Sequence, residues 1–232
     1  MDEINKTEEK KINYLVALIG ETGVGKTHFF KIIKNEKYFS KSFCNIEVEI
    51  YNADHYKLID TIGLEKFFNV SEQIITFSKC NFFILMYDNS NEYSFETETL
   101  KYWINTVKNI REENVCLNTK VICHVFILGN NTSGNAFNPI KEKMDDLNAC
   151  VENANISIHD AGLVNMNGET MEENKENVEE KFKEINDIFK ENLNEDTILE
   201  NEKNFKEAFK KRSKKVNSKE DGKYNYYNCS IF

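Results

Sequence analysis

Eight residues near the start of the chain, Gly20-Glu21-Thr22-Gly23-Val24-Gly25-Lys26-Thr27, constrain what it can fold into more than any other feature. They fit G-x-x-x-x-G-K-[ST] without exception, and they close an apolar run, YLVALIG from Tyr14, that reads as a buried strand. Residues 28–35, HFFKIIKN, then carry apolar side chains at helical spacing. Glycines at such a strand-to-helix corner let the main chain wrap phosphate oxygens closely, with N–H groups pointing inward. The lysine reaches the terminal phosphates, the threonine hydroxyl is placed to ligate Mg²⁺, and the helix adds its positive N-terminal end. Expected phosphate contacts therefore run through Gly20, Thr22, Gly23, Val24, Gly25, Lys26, Thr27 and His28.

The rest of the chain repeats the alternation. Residues 43–51 and 56–59 read as strands joined through Asn52-Ala53-Asp54, which is hairpin chemistry. The apolar run 81–87 precedes a long amphipathic stretch at 94–110. A buried strand at 121–128 ends at Gly129 and is followed by a helical pattern over 140–151. Residues 156–158 form a weak last strand and 178–189 a last core helix. Strands alternating with helices predict an α/β fold with a mostly parallel six-stranded sheet flanked by helices. The expected layout is a disordered N-terminus (1–11), one domain (12–192) and a charged tail (193–232).

Composition removes several function classes. A net charge of -9 argues against nucleic acid as a partner, because such a surface would be basic. No two of the six cysteines form a C-x-x-C pair, so reduced thiols are expected rather than a zinc site or a disulfide framework. The apolar runs are too short to cross a bilayer.

A second motif lies at the end of the strand over 56–59. Asp60-Thr61-Ile62-Gly63 is D-x-x-G, common by chance, but it falls where a neighbouring strand end meets the glycine-rich loop. An aspartate there holds Mg²⁺, usually through water, and Gly63 offers its N–H to a terminal phosphate.

Taken together, GETGVGKT, DTIGLEKF and YDNSNEYSFE resemble the Rab branch of the Ras superfamily of small GTPases, whose runs read GDSGVGKS, DTAGQERF and YDVTDRESFE. The resemblance spans residues 14–189 and is clearest in the first three-quarters. It implies the P-loop small G-protein fold, GTP or GDP with Mg²⁺ as cofactors, and effector and regulatory proteins as partners of a monomer. Within it, Tyr38 is either an ordinary half-buried tyrosine or the aromatic that lies against the base. Asn45 stands in place of the metal-sensing threonine, where its amide oxygen can still ligate. Ile50 and Ile59 replace aromatic effector-contact residues. Leu64 replaces the glutamine that orients the attacking water, which implies slow or absent hydrolysis.

Base reading also departs from the family. Asn130-Asn131-Thr132-Ser133 stands where the family has N-K-x-D, so Ser133 replaces the carboxylate that selects guanine. Two segments compete for the late base loop: Asp160-Ala161-Gly162, with Ala161 as the contact, and Glu169-Thr170-Met171-Glu172-Glu173-Asn174, which mimics the family's ETSAKN but comes late. Spacing favours Ala161.

The chain ends Cys229-Ser230-Ile231-Phe232, a C-a-a-X pattern that points to geranylgeranylation of Cys229. One lipid chain anchors only marginally, and the cluster Lys210-Lys211-Arg212-Ser213-Lys214-Lys215 supplies a second signal toward an anionic leaflet. These features lead to the expectation of a membrane-attached nucleotide switch on the cytoplasmic face of an intracellular membrane, with a soluble pool. Its role in vesicle trafficking follows from the resemblance alone. Two other readings stay open: a pseudo-GTPase scaffold whose partners ignore the nucleotide, and an NTPase with relaxed base choice.

Overall fold

Continuous apolar runs, rather than alternating ones, belong to strands covered on both faces. The computed structural model describes residues 14–36, 49–53, 56–61, 80, 82–113, 122–131, 138–152, 154–168 and 170–191, with 110–113 as backbone. Its strands are β1 (Tyr14–Ile19), β2 (Glu49–Asn52), β3 (Tyr56–Asp60), β4 (Phe82–Asp88), β5 (Cys123–Asn130) and β6 (Ile156–Val164). Its α-helices are α1 (Lys26–Ile33), α2 (Thr97–Glu113), α3 (Met144–Ala149) and α4 (Met171–Glu191). The sheet order is β2-β3-β1-β4-β5-β6, and only the β2–β3 pair is antiparallel. The expected six-stranded, mostly parallel sheet is therefore observed.

Each face has its own core. On one side Trp103, Ile104 and Leu100 of α2 and Leu147 of α3 pack on Ile19, Leu85 and Ile127. On the other, Phe29 and Phe30 of α1 and Val178, Phe182, Ile185 and Phe189 of α4 cover Val16, Leu18, Phe82 and Phe126. Phe82 and Phe189 stack with centroids 4.3 Å apart and planes 7° from parallel. Fully burying such side chains stabilises the fold by roughly 1.5–3 kcal/mol each. The tyrosine that begins β1, Tyr14, donates its hydroxyl to Asn186 of α4 and so ties the first strand to the last helix.

Several boundaries move from their sequence-based positions, for local polar reasons. The amphipathic stretch over 94–110 divides in two. Asn91 accepts the Tyr93 N–H through its side chain (3.2 Å), starting a 3₁₀ turn at Glu92–Phe95, and α2 begins only at Thr97. Ser94 Oγ donates to the Asp88 carbonyl (2.8 Å), which turns the chain tightly off β4. Over 140–151 a 3₁₀ turn at Lys141–Lys143 leads into a helix of only six residues. The last helix starts earlier than expected, at Met171, with Glu172 and Glu173 in its first turn where the helix dipole favours them.

The largest revision concerns β6, which runs for nine residues instead of three. Asp160-Ala161-Gly162, which spacing favours as the late base loop, is instead a bulge within this strand. The β5–β6 register shifts between Ile127 and Gly129. Asp160 Oδ1 accepts the Gly162 N–H (2.8 Å), and Asn138 Nδ2 bonds both Asp160 oxygens at 3.0 and 2.9 Å. The aspartate that suggested a loop thus fastens an edge strand.

Gly129 lies opposite this bulge. A Cβ added there would sit 2.5 Å from both Leu163 Cδ2 and the ring of Tyr87. Tyr87 is fully buried, and its hydroxyl reaches Asn138 Oδ1 at 3.3 Å, so the ring has little room to yield. Gly129→Ala is therefore expected to destabilise the fold by about 1–3 kcal/mol, read as a lower urea midpoint with unchanged slope.

Candidate phosphate-binding site

The corner between β1 and α1 holds three glycines with positive φ, Gly20, Gly23 and Gly25, and at the first and last of them a side chain would collide with its neighbours. At Gly20 (φ 130°) a Cβ would lie 2.2 Å from the Met86 carbonyl oxygen, so only glycine lets the chain leave β1 this close to β4. Gly25 (φ 102°) is the N-cap of α1. A Cβ on it would lie 2.6 Å from the terminal methyl of Met166 and 2.7 Å from Asn130 Nδ2. Between them Thr22 and Gly23 are exposed, whereas Val24 is buried and anchors the loop in the α1–α4 core.

Lys26 begins α1 and is only 5% exposed. Its Nζ donates to the carbonyls of Gly20 (2.8 Å) and Glu21 (2.5 Å), which folds the ammonium over the loop. Burial lowers its pKa to about 8, against the upward pull of the Asp60 and Glu21 carboxylates. Thr27 Oγ1 donates to Asp60 Oδ2 at 2.7 Å, and Asp60 is fully buried at the end of β3. Parallel pairing places Asp60 beside Leu18, one residue before the end of β1. Thr61 Oγ1 then donates to the Leu18 carbonyl (2.5 Å) and locks this crossing. His28 is half-buried in the first turn, and burial depresses its pKa.

At the end of β5, Asn130 Nδ2 donates to the Val24 carbonyl at 3.2 Å, so this residue braces the phosphate loop from behind. The strand ends of β1, β3 and β5 thus bring Gly20, Thr22, Gly23, Val24, Gly25, Lys26, Thr27, His28, Asp60 and Asn130 to one edge of the sheet. The residues fit a polyphosphate and a hard divalent cation. The loop has glycines where side chains would collide, a buried ammonium, and a hydroxyl–carboxylate pair of the donor type Mg²⁺ takes.

Ala161 is not in this group. It lies in the β6 bulge and packs against the α1–α4 core, short of the strand end. The segment that follows β6 at the site's edge is Asn165-Met166-Asn167-Gly168. In the ETSAKN-like run, Thr170 precedes α4 and accepts the Glu173 N–H at 3.1 Å, while 171–174 form the helix's first turn. Residue 169 lies outside the described residues, as do Tyr38, Asn45, Gly63, Leu64, Ser133 and Cys229. Sequence reasoning missed Thr61 and Met166. An N-x-N-G turn signal after an apolar strand would have pointed to the loop holding Met166.

The buried lysine makes phosphate binding pH-dependent. Without an anion its pKa is about 8, against 10.5 for an unperturbed lysine, so the unfolded chain holds more protons between these values. This group's contribution to folding stability therefore rises with pH across that window, because deprotonation relieves a buried charge. An anion needs the charged form, so its binding takes up a proton above pH 8. Affinity for inorganic triphosphate is expected to fall above pH 8 by up to about tenfold per unit, with proton uptake visible by calorimetry in buffers of different ionisation enthalpy.

Comparison with known proteins agrees with this geometry. Residues 15–125 match the family described as Ras of Complex, Roc, domain of DAPkinase. The chain is also similar to the Ras-related protein Rab-5B of Plasmodium falciparum, with 28% identity over 111 residues. That match covers 44% of this chain and 52% of the relative, so the chain spans about half the length of the curated relative it matches. With the glycine-rich corner and the sheet order, these matches make the chain similar, over residues 15–125, to Ras-related small GTPases.

Proposed function

We propose that this protein is a guanine-nucleotide switch that acts at a membrane surface, in vesicle traffic or a related process, and hydrolyses GTP slowly. The observation that carries the reading is the Thr27–Asp60 hydrogen bond at 2.7 Å beside the buried Lys26, inside a loop closed by glycines. Thr27 and Asp60 are the described residues that would hold Mg²⁺, with Asn45 as a further candidate ligand. When bound, such an ion neutralises phosphate charge during cleavage. Lys26 would shift from backbone carbonyls to phosphate oxygens, exchanging neutral partners for an anionic one.

Slow turnover follows from Leu64, whose apolar chain neither donates to nor accepts from an attacking water. Tyr38 would flank the base and Gly63 would offer its N–H to the terminal phosphate. Attachment would come from a prenyl group on Cys229 together with the cluster at 210–215, placing the protein on the cytoplasmic face of an intracellular membrane with a soluble pool. The relative's printed name, Ras-related protein Rab-5B, supports the family side of this reading.

A second reading is favoured by Leu64, Asn45 and Ser133 together: nucleotide stabilises the fold while partners bind without regard to it. Capture of the same partners at equal strength with di- and triphosphate analogues would support this scaffold reading over the switch.

The deciding experiment is chromatography of the nucleotide released from purified protein, followed by turnover on the same sample. GTP or GDP at near-stoichiometric occupancy is expected; protein that retains none in excess Mg²⁺ would overturn the proposal. Leu64→Gln is expected to raise single-turnover hydrolysis by roughly tenfold or more, by restoring a water-orienting amide. Cys229→Ser is expected to move the protein from the membrane pellet to the soluble fraction of expressing cells, and an unchanged distribution would remove the lipid anchor from the account.

A further inference from the structure

Behind the phosphate loop lies a methionine that none of the expected site residues explains. Met166 follows β6, is fully buried, and belongs to the core that holds Val24, Phe29, Phe30 and Val178. Its terminal methyl stands 2.6 Å from where a Cβ on Gly25 would be, so the thioether rests against the bare α-carbon at the start of α1. Asn130 Nδ2 lies 2.7 Å from the same point, and the two side chains clasp Gly25 from behind.

The loop that carries Met166 is itself fastened. Asn165 Oδ1 accepts the Asn167 N–H at 2.9 Å, and the Asn165 carbonyl accepts from Asn177 Nδ2 at 3.3 Å. The Gly168 N–H donates to Asn174 Oδ1 at 2.5 Å. Asn174 and Asn177 both belong to α4, so the methionine is held at the end of a short arm fixed to that helix.

We propose that Met166 is a positioning residue that keeps the N-terminus of α1 aimed at the phosphates, and so sets how fast nucleotide leaves. The inference rests on the nucleotide reading above. An anion held by main-chain N–H groups escapes when those groups splay, and splaying at Gly25 requires the space that Met166 fills. A long unbranched thioether suits this role because it adapts to an irregular gap. Shortening it leaves a void behind Gly25 into which the corner can relax, which spoils the aim of the amides without touching a phosphate ligand.

The test uses the full chain loaded with a fluorescent methylanthraniloyl guanine nucleotide, whose release is followed after adding excess unlabelled nucleotide. Met166→Ala is compared with Leu147→Ala, an equivalent truncation in the core on the opposite face of the sheet, and melting temperatures are recorded for each. Met166→Ala is expected to release at least about tenfold faster, while Leu147→Ala stays within about threefold of wild type despite a similar loss of stability. Met166→Leu keeps most of the volume but loses the reach, so it is expected to melt near wild type yet release about threefold faster. Equal release by the two alanine variants would overturn the proposal. Should Met166→Ala fail to fold, wild-type release by Met166→Leu would do the same. Wild-type protein that never retains the analogue would instead remove the nucleotide reading, and this inference with it.

Discussion

The ammonium of Lys26, buried where no water can solvate it fully, is the constraint around which the described structure is arranged. A cation in that position is tolerated only if polar atoms are brought to it, and the chain brings the carbonyls of Gly20 and Glu21 by turning sharply off β1. The turn is open only to glycine at Gly20, because the Met86 carbonyl occupies the space a side chain would need. Asp60 completes the balance of charge from the neighbouring strand, and the parallel register of β1 and β3 fixes its depth. Sheet order, glycine placement and electrostatics therefore depend on one another at this corner.

The helices that cover the sheet hold that corner still. α1 is only eight residues long and has no side-chain cap at its N-terminus, so its own hydrogen bonds would not keep it formed. Phe29 and Phe30 bury against the sheet, and Phe29 meets Phe182 of α4 edge to face at 6.1 Å. The aromatic layer continues through Tyr14, Tyr56, Phe82 and Phe189 to the far end of the strands. Burial remote from the site is what keeps the first turn of α1 facing the loop.

How much of this was legible follows from where each signal is stored. The phosphate corner was readable because backbone geometry at such a turn admits few residue types, so glycines and a lysine at fixed spacing carry the structure in their identities. β1, β4 and β5 were readable as strands because both their faces are covered, which leaves unbroken apolar runs. β6 was not, because an edge strand tolerates polar residues and Asp160-Ala161-Gly162 has the composition of a turn. Only the long-range bonds from Asn138 to Asp160, across 22 residues, make it a bulge. Met166 was invisible for a related reason: a lone methionine in a polar stretch says nothing until the fold sets Gly25 against it.

The two ends of the site therefore stand on different physical footings. At the phosphate end the groups are main-chain amides, a cation and a carboxylate, and charge-assisted hydrogen bonds of this kind contribute about 1.5–3 kcal/mol each. At the end of β5 the described groups are neutral amides. Asn130 spends its Nδ2 on the Val24 carbonyl, while its Oδ1 is buried without a partner among the described residues. The neighbour in β6 register is Val164, which has no hydroxyl to offer that oxygen. An acceptor left in this state costs about 1–3 kcal/mol, so the loop behind the phosphates is less tightly tied to β6 than hydrogen bonding at both arms of Asn130 would make it. Apolar contact must then supply what polar contact does not. Val164 and Met166 are both buried in the same core as Val24, and they lie on the side of the sheet that Asn130 faces. Packing therefore does at this point what directional bonds do at the phosphate end.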